Sequence, residues 1–237
     1  MSPAFDLFAY LGYIIPGATL LIALNFAFPK LRPHFGIENI DLGRLGIFVI
    51  VAFILGQLLS TISTYVISVP LRWVGYELQT NRVICSPQIV EKRTIKEIIG
   101  TKLAIDEQEM VAICRPTEWF KKRALVTQIV WQVHQLEASK RERVNLFEQY
   151  YYLNLNLAAA FAVILMIFLL LAPIHHKRPA WIGHIETKVP KGRLYWLLIV
   201  LLLAATLLLV HHVTYFDRLY ARELVQVFIH ITSLAKP

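Results

Sequence analysis

Charge is scarce in this chain. Of 237 residues only 17% are Asp, Glu, Lys or Arg and 57% are hydrophobic, whereas a soluble domain carries about 25% charged and roughly 45–50% apolar residues. Four stretches contain no charged residue at all: Leu7 to Pro29, Leu45 to Leu71, Gln149 to Ile174 and Leu194 to Phe216. Each exceeds the roughly 20 apolar residues that cross a bilayer as a helix. The pattern excludes a soluble enzyme, a disordered protein and a chain whose main business is binding nucleic acid.

Cysteine is almost absent. Cys85 and Cys114 have neither metal-ligand spacing nor companions for a disulfide framework, and both are expected as free thiols facing the cytosol. No Lys or Arg precedes the first apolar run and no small-residue cleavage pattern follows it, so the first span is expected to stay in the mature protein. Catalytic patterns are missing as well. There is no G-x-S-x-G, phosphate loop, Gly-rich dinucleotide turn or H-E-x-x-H, and no span carries a carboxylate or base of the kind that marks pumps and transporters. His175-His176 and His211-His212 fall at opposite membrane faces, about 30 Å apart, and cannot share a metal. No catalytic residue, metal or cofactor is expected.

What is present is an all-α plan of four transmembrane helices with a small helical section between spans two and three. Residues 1–71 form a first transmembrane hairpin, 72–148 a cytoplasmic helical section, 149–216 a second hairpin and 217–237 an amphipathic helix. The net charge of +8 is spread along the chain, and a basic surface beside anionic headgroups accounts for it without nucleic acid. Sixteen Lys and Arg fall on the side of the termini and residues 72–148, against eight on the other. That bias puts the termini and the middle section in the cytoplasm.

The first span carries Gly12, Pro16, Gly17 and Asn25. Proline removes a backbone donor and clashes one turn back, so a kink or break is expected near residues 12–16, either as a hinge or as a packing feature. A neighbouring helix would have to satisfy the freed carbonyl. In the second span Ala52, Gly56, Ser60, Thr64 and Ser68 recur every fourth residue, which puts them in one row. Such a ladder lets membrane helices approach closely. Gln57 and Thr61 lie beside it, so this strip is expected to face a helix of the same chain or of another subunit, as helix packing or as a pore lining. Asn154 and Asn156, near the start of the third span, complete the strongly polar groups at membrane depth.

No Gly or Pro occurs from 117 to 172. If unbroken this is one helix of about 84 Å, with an apolar stripe through Leu125, Ile129, Val133 and Leu136 that needs a partner. Ser86-Pro87 to Gly100 and Asp106 to Arg115 are expected as two shorter helices of the same section. Tyr150, Tyr151, Tyr152, Tyr195 and Trp196 sit at span ends, where aromatic rings anchor among headgroups. Beyond the fourth span Phe216, Leu219, Tyr220, Leu224, Val227, Phe228 and Ile231 share a face opposite Arg218, Arg222 and Gln226, which suits a helix in the membrane interface or docked on the cytoplasmic section.

Two stretches, Phe5-Asp-Leu-Phe-Ala-Tyr-Leu-Gly-Tyr-Ile-Ile-Pro-Gly17 and Ala52-Phe-Ile-Leu-Gly-Gln-Leu-Leu-Ser60, resemble small four-span bacterial inner-membrane proteins, some of them suspected of roles in anti-phage defence. The resemblance rests on these two stretches and implies an inner-membrane location but no catalytic residues. Together these features lead to the expectation of a non-catalytic homo-oligomer, a scaffold or gated pore in the lipid bilayer coupled to a cytoplasmic signal or protein partner. The alternative is a membrane enzyme or transporter acting on a lipid or small solute near Pro16-Gly17, Gln57 and Asn154.

Overall fold

A computed structural model describes residues 7–28, 42–73, 108, 119–136, 138–176 and 192–234, and among them there are helices and no strands. In chain order they are α1 (Leu7–Ala27), α2 (Leu42–Ser63), a π-helical turn (Thr64–Ser68), α3 (Val69–Trp73), α4 (Trp119–His134), α5 (Ala138–His176) and α6 (Arg193–Leu234). Four helical segments are long and apolar enough to cross a membrane: Tyr10–Ala27, Gly43–Ser63, Glu142–Leu171 and Arg193–His230. This is the build of a multi-pass membrane protein. Helices serve here because lipid offers no water to a backbone amide or carbonyl, and a helix satisfies both within itself. The expected helices at 86–100 and 106–115, both cysteines and the loop at 177–191 lie outside the described residues.

The chain divides into two compact units, Met1–Trp73 with Tyr152–Val213, and Val74–Tyr151 with Thr214–Pro237. In the first, α1 and α2 pack as an antiparallel hairpin. Phe53 of α2 lies between two rings of α1, stacked on Tyr10 at 5.9 Å and edge-on to Tyr13 at 6.0 Å, and Leu20, Leu21, Ala52 and Leu59 are buried. Large side chains on the outer faces, Ile22, Ile50, Ile54, Leu58 and Leu170 among them, are exposed. That is unfavourable in water and unremarkable against lipid tails.

Proline is handled differently in the two helices of this hairpin. Pro16 sits inside α1, which runs unbroken from Leu7 to Ala27, so the break considered from sequence does not occur. Pro70 lies in α3, directly after the π turn at Thr64–Ser68. A proline at 70 cannot donate to the carbonyl of residue 66 and crowds it. A locally widened turn is one of the adjustments by which membrane helices accommodate that loss.

In the second unit, the single helix anticipated across 117–172 is two. α4 ends at His134, where Gln135 N donates to Trp131 O at 3.2 Å and Leu136 N donates to Val133 O at 3.1 Å, and α5 begins at Ala138. A straight continuation would leave the stripe of α4 in water. With the turn, Leu125, Ile129 and Val133 pack into one core with Val144 of α5 and with Tyr220, Ala221, Leu224, Val225 and Phe228 of α6. Burying each large aliphatic side chain contributes roughly 1.5–3 kcal/mol, enough to offset a turn made without glycine or proline. The fourth span and the amphipathic tail are likewise one helix, since α6 continues without a break through residue 217. Of the two placements considered for the tail, its apolar face is docked in this helical core.

Candidate functional site

Pro16 has no N–H to give the carbonyl of Gly12, four residues earlier. That carbonyl receives a hydrogen bond from the Nδ2 of Asn156 on α5, at 3.3 Å. Asn156 is 1% exposed, and its Oδ1 accepts nothing among the described residues. The amide therefore replaces, from another helix, the backbone donor that proline removed. It ties the two hairpins of the first unit together at membrane depth.

One turn further along, α1 and α2 approach so closely that neither tolerates a Cβ at the contact. A Cβ on Gly17 would overlap the Ala52 carbonyl and lie 2.7 Å from Gly56 N, and a Cβ on Gly56 would overlap the Tyr13 carbonyl and lie 2.9 Å from Tyr13 Cα. Pro16, Gly17, Ala52 and Gly56 are all buried. Gly12, by contrast, has open space where a Cβ would go. Gly17, for which the sequence leaves a hinge and a packing role open, packs directly on α2 backbone, and the upper rungs of the α2 ladder face α1 of the same chain.

The remaining polar positions separate. Ser60 is half-buried, while Gln57 and Thr61 are exposed. The Thr61 hydroxyl donates to Gln57 O on its own helix at 3.1 Å, whereas the Gln57 side-chain amide has no hydrogen-bond partner among the described residues. The side chains of Thr64 and Ser68 lie outside those residues. Asn25 is buried and its Nδ2 donates to Leu21 O at 2.8 Å within α1; Asn154 is half-buried and engaged. At Gly17 the space beside α1 is filled by α2 backbone, and Gln57 is exposed.

Aromatic anchoring divides in the same way. Trp196 and Tyr152 are exposed, but Tyr195 is buried and its hydroxyl donates to the Phe168 carbonyl of α5. Tyr195 is a clasp between the helices of the second hairpin and not a headgroup anchor. Tyr150 is half-buried and stacks on Phe216 at 5.3 Å.

Sequence reasoning missed two groups. One is the Asn156 to Gly12 bond, whose signal is a proline four residues after an otherwise ordinary carbonyl together with a lone asparagine in another span. The other is Asp217, 1% exposed on α6 and engaged in an interaction. Its signal is position: four residues after Val213 and seven before Leu224, it falls on the buried stripe of the helix. His211 and His212 are exposed with rings 6.2 Å apart; the side chains of His175 and His176 lie outside the described residues. Among the described residues no three His, Cys, Asp or Glu come together in a way that could hold a metal. The neutral amides can donate and accept hydrogen bonds, and acid–base chemistry is beyond them. Compared with known proteins, the chain matches no family model, no curated sequence and no solved structure.

Proposed function

We propose that this is a non-catalytic inner-membrane protein that works as a homo-oligomer, a scaffold or gated pore whose cytoplasmic helices receive a signal or a protein partner. The observation that carries the reading is Gln57. It lies four residues from the midpoint of the Gly43–Ser63 span, about 6 Å along the axis, and its amide is exposed on the outer side of the α1–α2 hairpin. In hydrocarbon an unsatisfied amide is costly. A second copy of the chain is the simplest source of a partner, and an interhelical hydrogen bond of this kind contributes about 0.6–2 kcal/mol. In this reading the termini and residues 72–148 are cytoplasmic, and the resemblance of the Phe5–Gly17 and Ala52–Ser60 stretches supports a bacterial inner membrane and a role in defence.

The test is the mass of the purified chain in nanodiscs, wild type against Gln57→Leu. A defined wild-type oligomer that the substitution shifts toward monomer is the expected result, with the helical signal unchanged because position 57 is exposed. A wild-type monomer at every protein concentration would sink the proposal. Gly56→Leu is unsuitable for this purpose, since it would open the hairpin itself.

A further inference from the structure

We infer that Arg218 and Arg222 on α6 form a binding site for the phosphate of an anionic phospholipid. Among the exposed residues of α6, Trp196 (57% exposed) and Tyr215 (51% exposed) bracket a face that is apolar at Leu197, Leu201 and Leu208 and carries the exposed His211 one turn before Tyr215. Nineteen residues separate the two rings, about 28 Å of helix, which matches the roughly 30 Å hydrocarbon core. Exposed aromatic rings of this type settle at the membrane–water interface, so Tyr215 marks one boundary of the core. Arg218 and Arg222 follow it by three and seven residues, about 5 and 10 Å further along the axis. At 100° per residue both share the angular sector of Tyr215. Their side chains are long enough to reach back toward the phosphates while the stems lie along apolar surface.

Charge points the same way. Both arginines are exposed, and neither has an acidic partner among the described residues. The two nearby carboxylates of α6 are otherwise occupied: Asp217 is buried and engaged, and Glu223 pairs with Arg143 at 3.3 Å. An i, i+4 pair of guanidiniums with no counter-ion among the described residues presents ten donors between them to a phosphate, which arginine binds in a planar, bidentate manner. The opposite face of this stretch is already filled by Tyr220, Leu224 and Phe228 in the helical core, so the arginine face is the one left for lipid. The inference rests on α6 crossing the membrane and is independent of oligomer formation.

The experiment is native mass spectrometry of the full chain released from nanodiscs of equal parts phosphatidylglycerol and phosphatidylcholine, counting the most strongly retained lipid. Wild type should retain phosphatidylglycerol in preference. The R218Q/R222Q double variant should lower the ratio of retained phosphatidylglycerol to phosphatidylcholine about thirtyfold, the combined effect of two basic residues beside an anionic leaflet. The R218K/R222K variant, which keeps the two charges and loses the bidentate fork, should fall between wild type and R218Q/R222Q. Equal retention of the two lipids by wild type, or an unchanged ratio in R218Q/R222Q, would overturn the site. So would equal loss in the lysine variant, which would trace the effect to arginine packing instead of charge.

Discussion

Asn156 donates its side-chain N–H to the Gly12 carbonyl that Pro16 leaves without a backbone donor. The pair explains how a proline sits in the interior of α1 without breaking it. It also predicts thermodynamic coupling. Asn156→Leu should destabilise the first unit by roughly 0.5–2 kcal/mol. In a Pro16→Ala background alanine restores a backbone N–H at position 16, so the same substitution should cost less. A double-mutant cycle on unfolding in mixed micelles measures the difference, and strict additivity of the two substitutions would show that the bond has no energetic role.

Gly12 of α1 and Gly56 of α2 should respond oppositely to alanine. At Gly12 there is room for a Cβ, and alanine should be neutral or stabilising by up to about 1 kcal/mol through its better helix propensity. At Gly56 the Tyr13 backbone occupies the position; overpacking of this kind costs roughly 1–3 kcal/mol or more. Gly17→Ala should behave like Gly56→Ala, although Gly17 lies only five residues beyond Gly12. Thermal unfolding of the three variants in one detergent is sufficient to compare them.

Much of this architecture is legible in the sequence, and the reasons for success and failure are physical. Four uncharged stretches predict four spans because charge is so costly in hydrocarbon that its absence is a strong signal. The period-four ladder at Ala52 and Gly56 identifies a close helix contact, because only small residues permit it. The sequence does not say which helix lies opposite, and it is α1 of the same chain. Nor does it reveal the turn at Gln135–Leu136, where neither residue favours a break; burial of Leu125, Ile129 and Val133 decides the matter, and that is a tertiary effect. Tyr195 was legible as a span-end aromatic, yet its burial depends on where α5 passes.

The helical core of the second unit should be sensitive at the residues of α4. Ile129 is 1% exposed at its centre. Ile129→Ala should cost about 2–5 kcal/mol and speed hydrogen exchange in α4 well above that in α1. Trp131, on the opposite face and exposed, should tolerate Trp131→Ala within about 0.5 kcal/mol. Equal effects at 129 and 131 would contradict the stripe.

Two polar side-chain contacts in the same unit, Arg143 with Glu223 and His134 with Glu148, should matter less than that core. Arg143 lies three-quarters in solvent while it contacts Glu223 at 3.3 Å, and His134 meets Glu148 at 3.4 Å with both side chains partly exposed. Exposed pairs contribute about 0–1 kcal/mol, so Arg143→Ala should lower stability by no more than about half of the Ile129→Ala effect. A larger loss, measured under the same conditions, would mean that the bridge holds α5 against α6 more firmly than its exposure allows.

The core that joins α4 to α6 also sets a schedule for biosynthesis. Ile129 is made nearly a hundred residues before Leu224 and Phe228, the side chains that cover it. At roughly 5–20 residues per second, the apolar stripe of α4 waits on the order of 5–20 s before its cover emerges from the ribosome, and during that interval the fourth span must also be inserted. Until then the nascent chain has only the α5 side of this core, Val144, against the α4 stripe. A chain cut before Leu224 keeps Val144 of α5 against that stripe and lacks the α6 side of its cover.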